Sequence, residues 1–166
     1  MQFDAGSSDS IVAALVDHGW SCRPETSFSV YGERGAVDVL AWHPVRRMVL
    51  AVEVKTALVD LQDMAATVDR KLRLAPVLAR ERGWRPAGVG AWVVVTDERS
   101  NRRRLGQHHN LLRASFPDDG RTMRRWLRHP DTPIRALSFW PHARVSNVRT
   151  RKRPLQVARV RHVSVP

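Results

Sequence analysis

The amino-acid sequence predicts one α/β domain built on a mixed, mainly four-stranded sheet flanked by helices. Two apolar runs, 37–42 and 48–55, are separated by His43-Pro44-Val45-Arg46-Arg47, and Pro44 cannot continue a central strand. They therefore read as an antiparallel pair. A segment with helical periodicity over 60–83 leads into the almost wholly apolar run 88–95, which suits a strand buried on both faces and joined to its neighbour by a covering helix. The size of the chain, 166 residues at 43% hydrophobic with six tryptophans, is enough for one domain with a core.

Each element has a local reason. Ser7-Ser8-Asp9 precedes Ile11, Val12, Leu15 and Val16, and Gly19 follows His18, which predicts a capped helix over 8–18. Residues 26–31 are β-prone and run into a glycine-bearing turn around Gly32 and Gly35. On the next strand, period two puts Val37, Val39 and Ala41 on one face and Asp38, Leu40 and Trp42 on the other. On the strand after it, Val49, Ala51, Glu53 and Lys55 share a face. Asp60 caps a helix whose apolar stripe is Leu61, Met64, Ala65, Val68 and Leu72, with a kink or interruption expected at Pro76. A helix from Arg99 through Leu112, a short helix over 123–127 and a strand over 134–140 complete the body.

Chemistry concentrates where carboxylates interrupt the apolar runs. Burying Asp38 and Glu53 is costly unless something pairs with them, and a divalent cation accepts both. Mg²⁺ keeps several waters and suits phosphate chemistry, and the backbone carbonyl of Val54 can complete the protein's share of ligands. Lys55 then stands where it can position a water for in-line attack or offset transition-state charge. Only Lys55, Lys71 and Lys152 among the 28 basic residues are lysine, so a lysine here departs from the chain's arginine habit. A surface salt bridge is the ordinary alternative for an acid-x-lysine strand.

Asp38 followed by Glu53-Val54-Lys55 resembles the signature of the PD-(D/E)xK nuclease superfamily, with Val37 in place of its frequent proline. The resemblance implies a restriction-endonuclease-like αβββαβ core, Mg²⁺ (or Mn²⁺) at the two acids, and catalysis assisted by Lys55. It further implies Glu33 as an extra carboxylate, and it offers Asp9 and Asp17 as candidates for the helical acid of many members. The segments 31–42, 52–56 and 69–76 are similar to the nuclease-like C-terminal domain of some bacterial helix-turn-helix regulators. A non-catalytic nucleic-acid-binding or transcription-regulatory module that keeps the nuclease fold is accordingly the alternative function.

A net charge of +12 and a pI near 11.5 favour a polyanionic partner. The expected partner is nucleic acid, DNA before RNA, and a homodimer would suit cutting two strands. Arg99, Arg102 and Arg103 at a helix start form a candidate phosphate clamp. Gln62, Lys71 and Arg73 on the preceding helix are further candidates for nucleic-acid contact, against the alternative of a solvated face. Residues 1–141 are expected to form the nuclease-like domain and 142–166 a basic tail with seven Arg or Lys and no acid. The lone Cys22 excludes an intramolecular disulfide and a cysteine-rich zinc site. With no apolar run long enough to span a bilayer and no leader-like start, a cytoplasmic location without membrane association is expected. His108, His109 and His129 lack the partners of a zinc site, and most tryptophans are expected in the core.

Overall fold

A computed structural model describes residues 5–141. The chain runs α1 (Ala5–Asp17), β1 (Ser21–Val30), β2 (Glu33–His43), β3 (Met48–Lys55), α2 (Leu61–Glu81) and β4 (Gly88–Thr96). Then follow α3 (Arg99–Gln107), α4 (His109–Ser115), α5 (Gly120–Arg128) and β5 (Arg135–Trp140). The sheet is mixed and has five strands in the order β1-β2-β3-β4-β5, one more than the four expected. Strands β1, β2 and β3 are antiparallel neighbours, whereas β4 and β5 join in parallel. The basic tail lies outside the described residues. No helix among them is long and apolar enough to cross a membrane.

Helices cover both faces of the sheet. On one side Ile11 and Leu15 of α1 and Met123, Trp126 and Leu127 of α5 pack with Val39, Ala41, Leu50, Val52, Trp92 and Val94. On the other, α2 buries Leu74, Ala75, Leu78 and Ala79 against Leu40, Val49 and Ala51, and Met64 and Val68 against Val93 and Val95. β3 and β4 are therefore covered on both faces, which explains their near-continuous apolar sequences.

Several local expectations are corrected. Strand β1 begins at Ser21 and contains Pro24, tolerated because β1 is an edge strand. The β1–β2 turn consists of Tyr31 and Gly32, both at positive φ, the two-residue hairpin geometry. Gly35 lies within β2, where an added Cβ would come 2.8 Å from the Phe28 ring. Val37 packs with Phe28, Val30 and Leu74 rather than with Val39, so the simple alternation fails there. The cause is local: Glu25, which would face Asp38, has φ +48 and is skipped in the ladder between Pro24↔Val39 and Thr26↔Val37.

Helix α2 continues through Pro76 for 21 residues without interruption, because buried side chains on both sides of the proline hold it on the sheet. The expected helix from Arg99 to Leu112 is instead two, broken at His108. That break lets Leu112 and Phe116 turn into the α2-side core.

Candidate active site

The site forms where the β2–β3 ladder ends. The last pair on that side is Val39↔Val52, so the next positions in register are Asp38 and Glu53. The Asp38 side chain takes over from the backbone: its Oδ2 accepts a 2.7 Å hydrogen bond from the N–H of Val54. A strand residue directs its N–H and C=O to the same neighbour. The Val54 carbonyl thus faces the side where Asp38 replaces backbone pairing.

Glu53 is only 3% exposed. Its Oε1 accepts a hydrogen bond of 2.5 Å from Lys71 Nζ, and its Oε2 lies 3.8 Å from Lys55 Nζ. Lys55 and Lys71 are the only lysines among the described residues, and both are directed at this one carboxylate. Burial pushes the Glu53 carboxyl above the ordinary glutamate range and the charge of Asp38 pushes it further, against the opposing pull of Lys71 and Lys55. A buried acid, Glu53, thus stands next to the half-buried Asp38 with two ammonium groups beside it, a concentration of charge unusual at the end of an apolar strand pair. The side chain of Lys55 is one-third exposed, so it reaches the boundary between this cluster and solvent.

Lys71 was a candidate nucleic-acid contact, with a solvated helix face as the alternative; it is instead 7% exposed and paired with Glu53. The apolar stripe of α2 leans toward Leu74, Ala75 and Leu78, which carries Lys71 inward with it. Gln62 and Arg73 are exposed, with Arg73 Nη2 2.7 Å from Glu33 Oε1. Glu33 is therefore engaged elsewhere: it lies five residues before Asp38, roughly 17 Å along an extended strand. Asp9 and Asp17 are exposed on α1, which covers the opposite face of the sheet from the one Glu53 shares with Val49 and Ala51. No group of three or more His, Cys, Asp or Glu side chains is gathered among the described residues, so any metal here takes two carboxylates, a carbonyl and waters.

The arginine clamp is only partly as expected. Val95 at the end of β4 pairs with Lys55, so α3 begins at the same edge of the sheet as the site. Arg99 and Arg103 are exposed there. Arg102, however, donates Nε and Nη2 to the two oxygens of Asp97 at 2.6 and 2.7 Å and covers the Phe139 ring at 4.9 Å. The pair is bidentate but at the surface, with the Arg102 side chain 60% exposed.

Asn101 is a positioning residue that sequence reasoning missed. Buried at 3% exposure, it accepts from Leu58 N–H through Oδ1 and donates through Nδ2 to the carbonyls of Thr56 and Thr96. Arg104 adds a bond to the Val59 carbonyl. These contacts fix the chain directly after Lys55 onto α3. An asparagine inside an arginine-rich helix start was the only signal, and a weak one.

Compared with known proteins, the chain matches no family model, no curated protein and no solved structure.

Proposed function

We propose that this chain is a Mg²⁺-dependent nuclease hydrolysing phosphodiester bonds of DNA, with Mn²⁺ as an effective substitute. The observation that carries the proposal is the meeting of Asp38, Glu53 and Lys55 at the end of the β2–β3 ladder, in the order of the PD-(D/E)xK signature. The donor set of two carboxylates and the Val54 carbonyl is all oxygen, which suits Mg²⁺ and leaves room for its waters. When bound, the ion would supply Lewis-acid polarisation of a phosphoryl oxygen and make an adjacent water more acidic. Asp38 and Glu53 hold the ion, Lys71 holds the Glu53 carboxylate, and Lys55 brings positive charge to the solvent-facing side where a phosphate would lie. Arg99 and Arg103 stand at the same sheet edge to hold the backbone.

The second reading is a non-catalytic nucleic-acid-binding or regulatory module. It is favoured by the 2.5 Å contact that commits Glu53 to a protein cation. Cleavage of labelled duplex, single-stranded, flapped and four-way-junction DNA with Mg²⁺ or Mn²⁺ decides between them, with EDTA and Lys55→Ala as controls. Metal-dependent cutting that falls about a hundredfold or more in Lys55→Ala is expected. Cutting that survives the substitution overturns the mechanism, and binding without cutting on every substrate favours the regulatory module.

A further inference from the structure

The opposite end of β3 carries a second basic feature. A cleft of about 510 Å³ is lined by Arg47, Arg80, Gly83, Trp84, Arg85 and Pro86. Three of these six are arginines, and no carboxylate lines it. None of the three arginines forms an ion pair among the described residues. The cleft is built rather than incidental. Arg47 Nε donates to the Arg85 carbonyl at 2.9 Å, and Ala87 N–H donates to the Arg47 carbonyl at 2.7 Å, tying the β2–β3 turn to the entry of β4. The Trp84 ring is half-buried and stacks on Trp42 with 5.7 Å between centroids and 5° between planes, which fixes its orientation.

We propose that this cleft binds single-stranded nucleic acid, with a base on Trp84 and phosphates on Arg47, Arg80 and Arg85. An aromatic ring of fixed orientation beside guanidinium groups suits a base and its flanking phosphates without regard to sequence. The cleft lies at the start of β3, whereas Glu53 and Lys55 lie at its end. Seven residue steps of strand put them roughly 23 Å apart, a span of roughly seven stacked nucleotides. The assignment deepens the nuclease reading by adding a holding site remote from the cut, and it rests on that reading only for its purpose, not for its binding.

The test is binding of the full chain to a fluorescein-labelled single-stranded oligonucleotide of about 12 nucleotides in EDTA, where cleavage plays no part. Arg80→Glu with Arg85→Glu reverses two exposed charges in the cleft. Arg125→Glu with Arg128→Glu makes the same change on exposed positions of α5 and controls for overall charge. The cleft pair is expected to weaken binding about tenfold more than the α5 pair. Ultraviolet crosslinking of a bromodeoxyuridine-containing oligonucleotide, mapped by mass spectrometry, is expected to mark Trp84. Equal weakening by the two pairs, or crosslinks that fall elsewhere, overturns the cleft assignment. Because both readouts are metal-free, their failure is distinct from a failure to observe nuclease activity.

Discussion

Replacing Lys71 with methionine removes a buried charge while keeping most of its volume, and the consequences follow from the pair it forms with Glu53. Lys71 is 7% exposed and Glu53 3%, with Nζ and Oε1 2.5 Å apart. Removing one partner of a buried pair costs about 3–5 kcal/mol. Two features reduce that here: Lys55 still lies 3.8 Å from Oε2, and Glu53 can take up a proton. A loss of about 2–3 kcal/mol near neutral pH is therefore expected, which lowers the Tm of a domain of this size by about 4–12 °C. The pH dependence carries the sign. Without Lys71, burial and Asp38 raise the Glu53 carboxyl with less opposition, so its folded pKa climbs further above the unfolded value near 4.3. A folded state that binds the proton more tightly is favoured fully below the unfolded pKa, and that advantage is lost as pH rises through the folded pKa. The deficit of Lys71→Met should thus shrink on acidification from about pH 7 toward about pH 5. Urea unfolding followed by tryptophan fluorescence at both values measures it, with Glu53→Gln added to the same background to remove the stranded charge. A deficit under about 1 kcal/mol at neutral pH, one that does not shrink in acid, or a double variant no more stable than the single refutes the account of the buried pair.

Three further outcomes follow from the same geometry. Asp38→Asn keeps an oxygen to accept the Val54 N–H, so the fold should persist; removal of the Asp38 charge should lower the Glu53 pKa, read by carboxylate NMR titration. Added Mn²⁺ at about a hundred times its Kd should stabilise the wild type by about 2.7 kcal/mol, and this gain should vanish in Asp38→Asn; an equal gain in both places the ion elsewhere. Asn101→Ala removes three hydrogen bonds that hold Thr56, Leu58 and Thr96, and should cost about 2–4 kcal/mol in thermal or urea unfolding, because each group left unpaired costs about 1–3 kcal/mol. A loss below about 1 kcal/mol would mean that water replaces the asparagine without penalty.

Local sequence was sufficient for the elements whose pattern matches their burial. The runs 48–55 and 88–95 became β3 and β4 almost to the residue, since strands covered on both faces must be apolar throughout. Asp60 capped α2 as expected, its side chain accepting from Asp63 N–H at 2.9 Å. The elements misread were those decided by neighbours. Pro24 sits in an edge strand and Pro76 sits in an unbroken helix; the strand expected over 134–140 does form, as β5, and its pairing with β4 brings the sheet to five.

The pairing of acid and lysine was legible in the sequence because charged residues inside apolar strands are costly and rare, and Asp38, Glu53 and Lys55 stand out on that ground alone. Their relative placement depends on the register of β2 against β3, which local propensity does not encode. The inward turn of Lys71, the capture of Glu33 by Arg73 and the strut made by Asn101 are all contacts between segments distant in sequence, whereas Arg102 pairs with Asp97 only five residues away. Residue types alone offered several partners for each of these charges. Packing α2 and α3 against the sheet selected one partner for each, because a long charged side chain near a forming core must pair, reach water or stay outside it.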